Sequence, residues 1–104
     1  MKLLLITAIK EFESEIKNIL VKSGVKSFTY STVKGFKNDA QSNVVDNWFA
    51  SSYAEIDSLL FTVFLPEENT PLILKKIEEF NFGQEILSKV HIALISLEQQ
   101  FLKI

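Results

Sequence analysis

The sequence contains no cysteine and no arginine; its basic side chains are 11 lysines and a single histidine. Without cysteine there is no disulfide framework, thiolate metal site, thiol nucleophile or CxxC redox pair. Without arginine the chain lacks the side chain best suited to bidentate clamping of phosphate or carboxylate. The 13 acidic residues outnumber the lysines, and the resulting net charge of -2 argues against a binder of nucleic acid or acidic membrane that works by bulk electrostatics. Long apolar runs are also missing, since none approaches the roughly 18 residues needed to span a bilayer.

What is present suits one modest domain. Of 104 residues, 47% are apolar and 12% aromatic, enough for a small core and for self-association to cover leftover apolar surface. The opening Met1-Lys2-Leu3-Leu4-Leu5-Ile6 has the charge-then-apolar order of a signal peptide. The run stops at Lys10, however, and passes into Glu11, Glu13 and Glu15 without a small-residue cleavage pattern. It reads as a first strand over residues 2–9, and a cytoplasmic protein is expected.

From Phe12 the period changes. Phe12, Ile16, Ile19, Leu20 and Ser23 recur at helical spacing, with Glu13, Glu15, Lys17, Asn18 and Lys22 on the other side. Gly24 is placed to be the left-handed cap of this helix. Residues 25–36 are rich in Val, Thr, Phe and Tyr and read as a strand that Gly35 breaks. Residues 56–65 read as another strand, ended by Pro66. Asn69 or Thr70 before Pro71 marks a helix start, and Ile73, Leu74, Ile77 and Phe80 supply its buried stripe. A last strand is expected over residues 89–97.

The order β-α-β-β-α-β is the split arrangement of ferredoxin-like α+β domains. The expected architecture is a single domain over residues 1–104, with an antiparallel sheet, two helices on one face and a long loop between strands 2 and 3. Residues 1–52 carry 7 lysines and 5 acids, and residues 53–104 carry 4 lysines and 8 acids. This mild asymmetry reads as ordinary solvated helix faces, because exposed ion pairs contribute little.

Residues 1–36 resemble the P-II family of signal-transduction proteins. The resemblance is carried by Lys10-Glu11-Phe12, by Ile16 to Leu20, and by Gly24-Val25 followed by Phe28-Thr29-Tyr30-Ser31-Thr32-Val33-Lys34-Gly35-Phe36. Beyond that stretch the likeness lies in element order and in Phe64-Leu65-Pro66. It implies a ferredoxin-like homotrimer without catalytic activity that binds a small effector in the clefts between subunits. It also implies a mobile loop between strands 2 and 3, the T-loop, that docks on a target such as a membrane transporter or metabolic enzyme.

By matching position, Thr29 lies on the strand lining the nucleotide cleft and Gly35 and Phe36 lie at the base of the loop. Lys37, Asn38 and Lys89 complete the candidate ligand-binding set. The implied effector is an adenine nucleotide or another small anion. The chain departs from the family where phosphate is gripped. In place of a glycine-rich Thr-Gly-x-x-Gly-Asp-Gly-Lys loop it has Asn81-Phe82-Gly83-Gln84-Glu85-Ile86-Leu87-Ser88-Lys89, and the family's C-terminal arginines are missing.

The connection from Lys37 to Glu55 is longer than a hairpin needs, and such connections are usually functional or disordered. It holds Val44, Val45, Trp48, Phe49 and Tyr53. Val45, Trp48, Phe49, Tyr53 and Ile56 fall at helical spacing, which suggests a short amphipathic helix capped near Asp46. Trp48, Phe49 and Tyr53 either pack on the sheet or a neighbouring subunit, or anchor a target protein.

His91 sits inside the last apolar strand. It is either a packed or surface residue or, where three copies meet at an axis, a metal ligand. The adjacent pairs Glu67-Glu68 and Glu78-Glu79 suit solvent better than a carboxylate dyad. No nucleophile motif, Walker loop or dinucleotide fingerprint occurs. Because this topology hosts many functions, two alternatives stand beside the regulator: a CutA-like metal-responsive trimer depending on His91, and a small ferredoxin-like dimeric enzyme. An RNA-binding βαββαβ domain would require basic surface and an aromatic signature that this chain lacks.

Overall fold

In a computed structural model, residues 1–38, 53–84 and 89–98 are described. They form β1 (Lys2–Ile9), α1 (Glu13–Lys22), β2 (Thr29–Asn38), β3 (Tyr53–Leu65), α2 (Thr70–Phe82) and β4 (His91–Ser96). Short 3-10 turns, Lys10–Phe12 and Glu67–Asn69, lead into the two helices. The strands make one antiparallel sheet in the order β2-β3-β1-β4, so the expected ferredoxin-like α+β architecture is the one observed.

Alternation along the strands decides which face is covered. Leu4, Ile6 and Ala8 of β1 lie opposite Val63, Phe61 and Leu59 of β3, and all six are buried in one core with Ile16 and Leu20 of α1 and Ile73 and Ile77 of α2. Phe12 meets Phe80 edge to face, with ring centroids 5.0 Å apart, and so joins the entry of α1 to α2. Outside this layer, Lys17 of α1 donates to Glu13 and to the Tyr30 hydroxyl of β2, each at 2.7 Å. The first of these bonds holds the Glu13 carboxyl below its ordinary value.

The end of α1 is built as its sequence suggests. Gly24 adopts φ +88°, its N–H bonds to the Val21 carbonyl, and the Val25 N–H reaches back to the Leu20 carbonyl. This is a Schellman closure in which Val25 and Leu20 are both buried. Val25 therefore belongs to the helix cap and not to β2, which begins later than expected, at Thr29. At α2 neither Asn69 nor Thr70 caps a free N–H; the Thr70 hydroxyl donates instead to the Glu67 carbonyl at 2.7 Å.

Gly35 does not break β2. The ladder runs through it one residue at a time, Lys34 opposite Asp57, Gly35 opposite Ile56 and Phe36 opposite Glu55, and continues through Lys37–Ala54 to Asn38–Tyr53. Lys37, Asn38, Tyr53, Ala54 and Glu55, expected in the 37–55 loop, are thus strand residues, because each finds a ladder partner for its backbone. A helix reaching Tyr53 and Ile56 is excluded for the same reason. Val45, Trp48 and Phe49 lie outside the described residues, as does the tail beyond Glu98.

The second face of the sheet has no helix on it among the described elements and carries an apolar patch at one end, giving way to Thr7, Ser58, Thr62 and His91 towards the other. Leu3 and Leu5 of β1 share it with Leu60 and Phe64 of β3 and Ile95 of β4. Phe64 is 59% exposed and Ile95 41%. Antiparallel sheets commonly turn a polar face to water, and a contiguous apolar one marks an interaction surface. No helix among the described residues is long and apolar enough to cross a membrane.

Candidate functional site

The lengths of the strands create the site. β1 pairs with β3 only as far as Ile9 opposite Ser58, whereas β2 and β3 stay paired from there to Asn38 and Tyr53. This two-stranded ribbon overhangs β1 by roughly 17 Å at about 3.4 Å per residue. At the step lies a cleft of 540 Å³, bounded by Thr7 to Ile9 of β1, Val33 to Phe36 of β2, Ser58 of β3, and Lys89 and His91 at the start of β4.

Gly35 leaves room at the step for the Ser58 hydroxyl. A Cβ there would lie 2.9 Å from Ser58 Oγ and 3.4 Å from the Ile56 carbonyl oxygen, and Ser58 Oγ donates to that same carbonyl at 3.3 Å. Its backbone is neither left-handed nor bulged, since among the described glycines only Gly24 has positive φ.

The two lysines that border the cleft already hold partners. Lys34 Nζ lies 2.7 Å from Asp57 Oδ1 across the β2–β3 ladder. That hydrogen bond holds the Asp57 carboxyl below its ordinary value and raises Lys34. Lys89 Nζ donates to the carbonyls of Asn81 at 2.9 Å and Gln84 at 3.1 Å, where a cation meets the negative end of the α2 dipole. Asn81 secures this corner: its Nδ2 donates to the Val90 carbonyl at 2.9 Å and its Oδ1 accepts from the Val90 N–H at 2.8 Å. Val90 is buried, so its neighbours Lys89 and His91 are held at the cleft. His91 is exposed and stands opposite Thr7.

Of the sequence candidates, Gly35, Phe36, Lys89 and His91 come together here. Phe36 is 63% exposed. Thr29 does not join them; it lies opposite Thr62 at the other end of β2, about 20 Å from Gly35 along the strand. Lys37 and Asn38 extend the ribbon past the cleft, opposite Ala54 and Tyr53. Trp48 and Phe49 lie outside the described residues. No group of three metal-ligating side chains occurs among the described residues, so no donor set within them surrounds His91.

Sequence reading missed Ser58, Asp57, Thr7 and Asn81, because each acts through a residue far away in the chain. The nearest signal was Asn81 itself, a short amide in the last turn of a helix, where such side chains turn back to main-chain groups.

Among the described residues no carboxylate lines the cleft; its polar lining is two lysines, one imidazole and the hydroxyls of Thr7 and Ser58. That chemistry suits an anion.

No family model matches the chain, and no curated protein matches it in sequence. Solved structures do match in three dimensions. CPII, a nitrogen regulatory PII-like protein from Thiomonas intermedia K12 bound to ADP, AMP and bicarbonate, superimposes with TM-score 0.62 at 17% identity, over 96% of this chain and 94% of CPII. CPII bound to ADP, AMP and acetate gives TM-score 0.58 at 18% identity, over 92% and 88% of the two chains. A PII-like signalling protein from Thermus thermophilus gives TM-score 0.62 at 18% identity, over 89% and 82%. The chain has the fold of the PII-like signalling proteins.

Proposed function

We propose that this chain is a divergent PII-like regulator, cytoplasmic and without catalytic activity, that assembles as a homotrimer and binds a small anionic effector in the cleft. The effector is an adenine nucleotide or a smaller oxyanion. The region between β2 and β3, with Trp48 and Phe49, and Tyr53 at the start of β3 engage a target protein such as a transporter or metabolic enzyme when the effector is bound or released.

The observation that carries this reading is the convergence of Gly35, Phe36, Lys89 and His91 on one cleft at the root of the β2–β3 ribbon. CPII, with the same fold, binds adenine nucleotides and bicarbonate. The uncovered apolar patch of Leu3, Leu5, Leu60, Phe64 and Ile95 supports self-association, since two further copies would remove it from water.

The test combines a solution mass with binding measurements for AMP, ADP, ATP, bicarbonate, acetate and divalent metals. The expected result is three protomer masses and saturable binding of at least one anion. A strict monomer refutes assembly through the sheet face, and a trimer that binds none of these anions refutes the effector. Phe64→Asp puts a charge on the apolar face and is expected to lower the mass towards the monomer while keeping the circular dichroism of the folded chain.

A further inference from the structure

We propose that His91 is the anion contact of the cleft and that anion binding there takes up a proton on its imidazole. The inference rests on the effector-cleft reading above and assigns the group that performs it. Three basic side chains border the cleft, and two are already engaged, Lys34 by the Asp57 carboxylate and Lys89 by two carbonyls at the end of α2. Among the described residues the His91 side chain has no hydrogen-bond or ion-pair partner. It is exposed to the cleft beside the Thr7 position.

Two of the connecting stretches carry no positive charge. Residues 39–52 and 85–88 contain no lysine, the chain has no arginine, and these stretches add Asp39, Asp46 and Glu85. Among the described residues the charged groups around the cleft are Lys10 after β1, Lys34 on β2, Glu55 and Asp57 on β3, and Lys89 before β4, with Lys37 next after Phe36 along β2. Carboxylates and lysines ordinarily titrate well outside the interval between pH 6 and 8, whereas histidine is the side chain whose charge ordinarily changes within it. A neutral imidazole offers an anion one N–H; an imidazolium offers two and a full positive charge.

The chemical class that fits is a small oxyanion, either a free carboxylate or carbonate or the single phosphate of a mononucleotide.

Acetate is the probe, because its own charge does not change between pH 6 and 8. Its affinity for the full chain is measured at fixed ionic strength across that interval, while the C2–H resonance of the imidazole is followed by NMR. The single histidine makes that resonance unambiguous. Because histidine is the side chain whose charge ordinarily changes within this interval, the affinity is expected to fall by roughly tenfold or more from pH 6 to pH 8. His91→Gln keeps neutral N–H donors but cannot take up a proton, and is expected to bind at pH 6 as weakly as the parent at pH 8, with a flat profile. A pH-independent affinity in the parent, a saturating acetate titration that leaves the C2–H resonance unmoved, or an unchanged profile in His91→Gln overturns the proposal. If acetate binds at no pH while AMP or bicarbonate binds the parent and His91→Gln equally, His91 is excluded and the effector cleft stands; if no anion binds at all, both fail.

Discussion

Asn81 offers the sharpest test of how the cleft is held in place. Its amide is paired twice with the main chain of Val90, at 2.9 and 2.8 Å, and Val90 is only 4% exposed. Asn81→Ala removes both bonds and leaves a buried N–H and a buried C=O without that partner. At about 1 kcal/mol net for each bond the expected loss is ~2 kcal/mol. For a domain of this size that corresponds to a fall in Tm of about 10 °C. Urea unfolding at one protein concentration, with the slope m unchanged, is the assay, since an assembling protein has a concentration-dependent stability.

Asn81→Asp separates the hydrogen bonds from mere packing. The new side chain has almost the same shape, keeps an acceptor for the Val90 N–H, and loses the donor to the Val90 carbonyl. Ionised, it sets a negative oxygen against that carbonyl; protonated, it can donate again. Folding therefore favours the neutral form and raises the pKa of the new carboxyl above the usual aspartate value of about 3.9. A group shifted in this direction destabilises the fold above its unfolded pKa, and the penalty fades as the pH falls through the raised folded value. The deficit of Asn81→Asp relative to the parent should thus be larger at pH 7 than at pH 4.5, while that of Asn81→Ala should stay nearly constant. An Ala variant within about 0.5 kcal/mol of the parent, or an Asp variant whose deficit ignores pH, would show that the paired geometry does not carry the stability assigned to it.

Two further outcomes follow from the same kind of argument. Gly24→Ala places a Cβ only 3.5 Å from Asn69 Nδ2, an ordinary contact, but at φ +88°; the expected cost is the left-handed penalty of about 1 to 2 kcal/mol, and an unchanged urea midpoint would contradict it. For the exposed Lys34–Asp57 pair, the lowered Asp57 carboxyl means that its small contribution is present above about pH 4 and is lost as the pH falls through the depressed value. Asp57→Asn should therefore be slightly less stable than the parent at neutral pH and converge with it in acid, and a gap constant from pH 7 to pH 2.5 would count against the pair.

Features that depend on neighbours in sequence were legible, and those that depend on a distant partner were not. The left-handed cap at Gly24, the Pro71 start of α2 and the first strand over residues 2–9 are local patterns, and they stand where the sequence puts them. Gly35 was misread as a strand end because its strand continuation is decided by Tyr53 to Ile56 on the opposite strand. The same distance hid Ser58, whose hydroxyl fills the space beside the glycine, and Asn81, which fixes residues nine positions later. Lys89 was legible as a cation near the site, but its engagement with the end of α2 depends on a fold that composition does not contain.

The step between β1 and the β2–β3 ribbon joins these observations mechanically. Ser58 lies opposite Ile9 on one side and Val33 on the other, so it stands where the three-stranded part of the sheet becomes a two-stranded ribbon. Two-stranded ribbons twist more freely than wider sheets, and the root of this one is therefore the compliant point of the sheet. The cleft opens against that root and is closed on the far side by residues that Asn81 ties to α2. An anion held between His91 and the Gly35 segment would brace the ribbon against the rigid part of the domain. On the proposed reading, effector binding therefore acts on the chain between β2 and β3 by restricting the angle of the strands that carry it. No contact between that chain and the effector is required.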